Sequence, residues 1–185
     1  MSELKTMART QLPKLDTLSM VTMGLLMALQ LVISRFSVGN QFLKFSFTFL
    51  IVALLAKWFG PWWGMLTAAL VDIVGTLMTG GPYFVGFTLS AIIGSLIYAL
   101  FLYRKPVKWW RIIVAQLLIM VIVNIMLNSL WLVIMYHTPI WGILPVRLLK
   151  QAITTPIQIV LIYGLLKAPV IQTIEGRLHR TTSQS

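Results

Sequence analysis

The chain has 185 residues, 58% of them hydrophobic and 10% charged, with a mean hydropathy of +0.89. A soluble domain of this size carries about a quarter charged residues, so the composition excludes an ordinary soluble fold and points to an integral membrane protein. The net charge of +11 would suggest nucleic acid in a soluble chain, but in a membrane chain the retention of cations on the cytoplasmic side accounts for it first.

Taken in order, residues 1–16 are polar and lack the short apolar core and cleavage-type sequence of a signal peptide. They read as a cytoplasmic tail ahead of a retained first span. Six apolar segments follow, at about Thr17–Ser34, Ser46–Phe59, Trp62–Thr79, Gly86–Tyr103, Arg111–Tyr136 and Leu144–Lys167. A full crossing takes about 17–25 helical residues, which the second segment reaches only if the preceding FLKF joins it; otherwise it is a short helix closed by a loop. Turn chemistry separates the segments at Gly60-Pro61, Gly80-Gly81-Pro82, Lys105-Pro106, Thr138-Pro139 and Ala168-Pro169. Residues 168–185 read as a basic cytoplasmic tail. The expected fold is all-α, a six-helix membrane bundle over 17–167 with no second domain.

Six crossings put both termini on one side. That side collects Lys5, Arg9, Lys14, Lys57, Arg104, Lys105, Lys108, Arg111, Lys167, Arg177 and Arg180, and the other only Arg35, Lys44, Arg147 and Lys150. The bias places both termini in the cytoplasm, with Trp58, Trp62, Trp63, Trp109 and Trp110 as an aromatic belt at that interface.

The four remaining cations need another reason, because no outer carboxylate balances them. Glu3, Asp16 and Glu175 fall in cytoplasmic segments and Asp72 inside the third. A lipid-facing Arg or Lys costs about 2.5–3.5 kcal/mol at a helix centre and less near an interface, so all four snorkelling to headgroups is one reading. The other is an outward-facing anion pocket. Arg147, Lys150, Gln151 and Thr154 fall at i, i+3, i+4 and i+7, one helical face. Arg grips a carboxylate with two parallel hydrogen bonds and Lys adds a mobile charge. In the fifth segment Asn124, Asn128 and Trp131 continue one face toward the same end, either as polar glue between helices or as a wall that reads ring edges and stacks on a ring face. Asp72 either pairs with a cation or a buried polar neighbour, or accepts from an aminopyrimidine-like ring.

Other chemistry is poorly served. The chain has no cysteine, so neither disulfides nor thiolate metal sites, and no Walker A pattern. His137 and His179 are isolated at opposite ends, and no Ser or Thr has a His or carboxylate partner to activate it. The expectation is a binding subunit without cofactor or metal, not an enzyme, and one short for a transporter built from large inverted repeats.

Gly80–Tyr103, GGPYFVGFTLSAIIGSLIYALFLY, resembles the Gly-Gly-x-Tyr-Phe-x-Gly-Phe-Thr-Leu-Ser-Ala pattern of folate-family S components of energy-coupling factor (ECF) transporters. KFSFTFL, FGPWWGMLTAALVDIVG and RLLKQAITTPIQ agree, so the resemblance covers about residues 17–167. It implies a six-helix, vitamin-binding subunit of a bacterial cell-membrane importer. Such a subunit captures its vitamin outside, docks on a transmembrane coupling protein carrying two cytoplasmic ATPases, and topples to deliver it. Family members dock through small residues on the first helix in an Ala-x-x-x-Ala-like pattern. This chain departs from it, and Gly24 and Ala28 in GLLMA come nearest; Gly86, Ser90 and Gly94 repeat the spacing and read as internal packing.

Folate carries a flat ring and a dianionic glutamate. The resemblance sets Arg35, Lys44, Arg147 and Lys150 against the carboxylates. Phe84, Phe87 and Trp131, with Tyr83, face the ring, and Asp72, Asn124, Asn128 and Gln151 read its edges. Phe36–Lys44 and Pro82–Val85 are the loops placed to close over it. Another anionic vitamin such as pantothenate, or a lipid-binding membrane subunit that does not transport, are the alternatives.

Overall fold

The computed structural model describes residues 16–36, 46–136 and 140–182. Those residues are helical apart from short connections, with no strand among them. Water is absent from a bilayer core, so a spanning backbone must satisfy its own N–H and C=O groups, and a helix does so within one segment.

Helix α1 spans Thr17–Arg35 and buries only Ser19, Leu26 and Gln30. Its remaining surface exposes Leu25, Leu29 and Val32, suited to lipid. Helix α2 spans Thr48–Thr79 but is broken at Gly60, which has φ 80 and ψ −171. The chain folds back there. A Cβ built on Gly64 would lie 3.5 Å from the Ala56 Cα, whereas eight residues of continuous helix span about 12 Å. Gly60 is required twice over, because its φ disfavours side chains and its Cβ would meet the Tyr103 ring at 2.8 Å. The arm Thr48–Phe59 is about 18 Å long, shorter than a hydrocarbon core of ~30 Å. It is therefore the short helix of the two expected alternatives within the described residues, while FLKF lies outside them.

Gly80 then caps α2 in the left-handed conformation. Helix α3 is Val85–Leu102 and makes its largest interface with α2. The fifth span opens as α4, Trp109–Leu118, passes through a π-helical segment, Ile119–Leu127, and closes as α5, Asn128–Tyr136. Helix α6 is Ile140–Lys167, and α7 is Pro169–Thr182. By length and apolarity five helices qualify as spans, and the break at Gly60 makes six segments of them. The chain is thus a multi-pass membrane protein of the expected helical architecture.

The stretch expected as a C-terminal tail is largely helix α7. Its mean hydropathy is low, yet Ile171, Ile174 and Leu178 recur at helical spacing and pack against the core. That core fills the half of the bundle nearest Gly60, with Leu55, Leu102, Ile112, Ile162 and Leu166 almost wholly buried. The opposite half is hollow.

Candidate functional cavity

The hollow half encloses a cavity of about 460 Å³ bounded by α1, both arms of α2, α3, the fifth span and α6. On α2 its lining runs from Thr79 down to Ala68, a depth of about 16 Å. Volumes of ~300–1,000 Å³ are usual for small-molecule sites.

Most residues marked in the sequence meet here. Asp72, Phe87, Asn124, Asn128, Lys150 and Gln151 all line the cavity. Lys150 and Gln151 come from one turn of α6, and Thr154 and Gln158 continue the stripe on the next turns. Asn124 lies within the π-helical segment and Asn128 at its end. Asn128 Nδ2 reaches Asn124 Oδ1 at 3.5 Å.

Asp72 Oδ2 accepts a 2.7 Å hydrogen bond from Thr88 Oγ1. Thr88 has one hydroxyl proton, so Tyr83 OH must be the donor in its 3.0 Å contact with Thr88 Oγ1. Tyr83 thereby connects to Asp72 through Thr88.

Phe84, Trp131 and Arg147 lie one layer behind the lining. The Phe84 ring packs 5.7 Å from Trp131 and 6.0 Å, edge to face, from Phe87. Trp131 Nε1 donates to Ser90 Oγ at 3.0 Å. Gly86 makes this cluster possible, since a Cβ there would stand 2.4 Å from Phe84 and 2.5 Å from Trp131. Gly86 thus serves internal packing, as expected, whereas Ser90 both accepts from Trp131 and lines the cavity. Arg147 donates to Ser129 Oγ at 2.9 Å and to the Asn124 carbonyl at 3.5 Å. Arg35 stands at the rim and donates to the Met78 carbonyl at 2.6 Å, fastening α1 to the end of α2. Lys44 lies outside the described residues, as does most of the Phe36–Lys44 loop.

Sequence reasoning missed the floor. Tyr98 OH donates to Gln116 Oε1 at 2.6 Å, and Gln116 Nε2 donates to Gln158 Oε1. Gln30 and Ser95 also line the cavity, and Gln30 Oε1, Ser95 Oγ and Asn128 Oδ1 are buried without a hydrogen-bond partner. Buried polar atoms normally find partners, so these three are exceptions beside the cavity. The signal for Gln116 and Gln158 was an amide within an otherwise apolar span.

The arrangement suits binding rather than bond-making: amides and hydroxyls at depth, an aromatic flank at Phe87, and Lys150 nearer the mouth.

Comparison with known proteins agrees with the architecture. A family profile described as the substrate-specific component of ECF transporters matches residues 18–166. The folate transporter FolT of Leuconostoc mesenteroides is 45% identical over 166 residues, 86% of this chain and 90% of that protein. FolT of Clostridium novyi is 36% identical over 78% of this chain and 86% of its own length. A crystal structure of FolT bound with folic acid superposes with a TM-score of 0.77 at 41% identity, covering 81% of this chain and 93% of that one. With its fold and nearly the whole of its spanning region matched, the chain belongs to the family of substrate-specific components of ECF transporters.

Proposed function

We propose that the protein captures folate from outside the bacterial cell in the 460 Å³ cavity and is the folate-specific subunit of an ATP-driven importer. The observation that carries this reading is the polar gradient along one cavity: uncharged donors and acceptors at its floor and Lys150 nearer its mouth. Folate has the same polarity, a neutral heterocycle at one end and two carboxylates at the other. A relative 41% identical has been solved with folic acid bound, which supports the same ligand here.

In this reading the heterocycle lies over Phe87 with its edges toward Asp72, Asn124, Asn128, Gln151 and the Gln116–Gln158 pair. The glutamate carboxylates meet Lys150, with Arg35 at the rim and Arg147 behind the wall; Lys44, outside the described residues, is assigned to the same carboxylates from the sequence alone. Such a pose removes a flat amphipathic ring from water while pairing its edge groups, which is how a small number of polar contacts gives specificity.

The positive-inside bias sets both termini in the cytoplasm and the cavity mouth outside. Delivery follows by docking of α1, through the Gly24 and Ala28 face, onto a transmembrane coupling protein carrying two ATPases, and toppling in the membrane. ATP is hydrolysed by those partners, and this chain makes and breaks no covalent bond.

Calorimetric titration of the purified, ligand-stripped protein in detergent with folate, and separately with pantothenate, tests the ligand. Tight one-to-one binding of folate alone is expected. Binding of pantothenate alone would reassign the vitamin, and binding of neither would remove both.

A further inference from the structure

The end of the bundle away from the cavity carries a second concavity of about 640 Å³, between the turn after α3, the end of α6 and the start of α7. Lys57, Arg104, Lys105 and Lys167 line it, and Glu175 is the one carboxylate lining it among the described residues. Lys57, with its side chain 4% exposed, pairs with Glu175, so the floor is close to neutral. The three other cations stand on the exposed rim. Their described partners are uncharged. Arg104 lies 5.3 Å from the Tyr103 ring centroid, Lys167 Nζ lies 4.9 Å from that of Tyr163, and Lys105 Nζ donates to the Leu100 carbonyl at 2.9 Å.

Like charges repel, though water screens them on an exposed rim, and an anion seated among the three would interact favourably with all of them. A second feature falls on the same rim. Arg104 has φ 51, the one non-glycine positive φ among the described residues. A left-handed arginine is strained, and strain of this kind collects at ligand clamps.

We propose that this cleft binds the phosphate of an anionic glycerophospholipid. A phosphate diester offers enough acceptor oxygens for an arginine fork and two ammonium groups. The surroundings favour a lipid over a free anion. Val107, partly exposed, gives the cleft an apolar edge, with the buried Leu166 beneath it. Trp109 stacks on Tyr163 at 3.8 Å, and both Trp109 and Trp110 are exposed. Exposed tryptophans of this kind sit at headgroup level, and basic pockets beside spans hold anionic headgroups there.

The test uses the full chain in non-ionic detergent, followed by native mass spectrometry and thermal melting. The additions are phosphatidylglycerol, phosphatidylcholine and inorganic phosphate, each separately. Phosphatidylglycerol is expected to give a one-to-one adduct and raise the melting temperature, while phosphatidylcholine and millimolar phosphate do neither. In the triple variant Arg104→Gln/Lys105→Gln/Lys167→Gln, checked for monodisperse elution, the adduct falls by about tenfold or more. Arg104→Gly gives an independent reading, because it relieves the strained φ and removes one cation. It should melt no lower than the parent yet retain less phosphatidylglycerol. Equal adducts with both lipids, or undiminished retention in the variants, overturns the proposal. Displacement of phosphatidylglycerol by millimolar phosphate would assign the cleft to a free anion and overturn the lipid source.

Discussion

Arg147 donates to Ser129 Oγ at 2.9 Å, and its other acceptor is the Asn124 carbonyl at 3.5 Å on the same neighbouring span. The arginine that the sequence marks for a ligand carboxylate braces the π-helical wall, and Lys150, three residues on, reaches the cavity instead. Two variants should therefore separate. Lys150→Ala is expected to weaken folate binding by about 1.5 kcal/mol or more, the worth of a charged hydrogen bond, and to lower the melting temperature less than Arg147→Ala does. Arg147→Ala is expected to lower affinity and melting temperature together, because the wall loses its brace. Titration and melting of both variants check this. Full affinity in Lys150→Ala, or unchanged melting in Arg147→Ala, would remove the division of labour.

The cavity floor depends on Gln116, which is 2% exposed and uses both ends of its amide. Oε1 accepts from Tyr98 OH, and Nε2 donates to Gln158. Gln116→Leu strands the buried Tyr98 hydroxyl and should cost about 1–3 kcal/mol of stability. Adding Tyr98→Phe removes that stranded group, so the double variant should be more stable than Gln116→Leu alone. A double-mutant cycle from thermal melts measures the coupling, and strict additivity would mean that the two residues are independent.

Much of the fold is legible because membrane spans are long, apolar and ended by turn residues. Gly60-Pro61 and Gly80-Gly81-Pro82 mark real breaks in or after α2. The π-helical segment is invisible in IMVIVNIML, which holds neither Gly nor Pro, and α7 is concealed by its polar residues. In the site, Asn124, Asn128, Lys150 and Gln151 were found because pairs on one helix have fixed spacing. The Tyr98–Gln116–Gln158 set was not, since its members come from three spans and only tertiary packing brings them together. Arg147, Phe84 and Trp131 show the limit of face arguments. Spacing selects the side of a helix, but partners such as Ser129 and Ser90 decide whether a side chain reaches the cavity or the layer behind it.

Gly60 is the position where backbone and packing constraints coincide. Gly60→Ala places a side chain at φ 80 and its Cβ 2.8 Å from the Tyr103 ring. The expected loss is about 2 kcal/mol or more, from the disfavoured conformation and the overlap together. Adding Tyr103→Ala removes only the overlap, so rescue should be partial. Detergent melting curves of the two variants read both parts, and a Gly60→Ala protein as stable as its parent would refute the hairpin geometry assigned to α2.

On α1 the buried face is Ser19, Leu26 and Gln30, whereas Gly24 and Ala28 lie on the exposed side. A Cβ added at Gly24 meets nothing within 4 Å. Internal packing therefore does not account for Gly24, and the proposed docking would use the small size of both residues for close approach of another helix. Trp at either position has room within this chain but obstructs a partner. Gly24→Trp and Ala28→Trp should each keep the parent affinity for folate in detergent, because neither residue touches the cavity. Both should lose co-purification with the coupling protein and its ATPases, and folate uptake in cells should fall with it. Intact uptake in both variants removes the docking face from α1. A loss of folate binding would instead place Gly24 and Ala28 inside the binding unit.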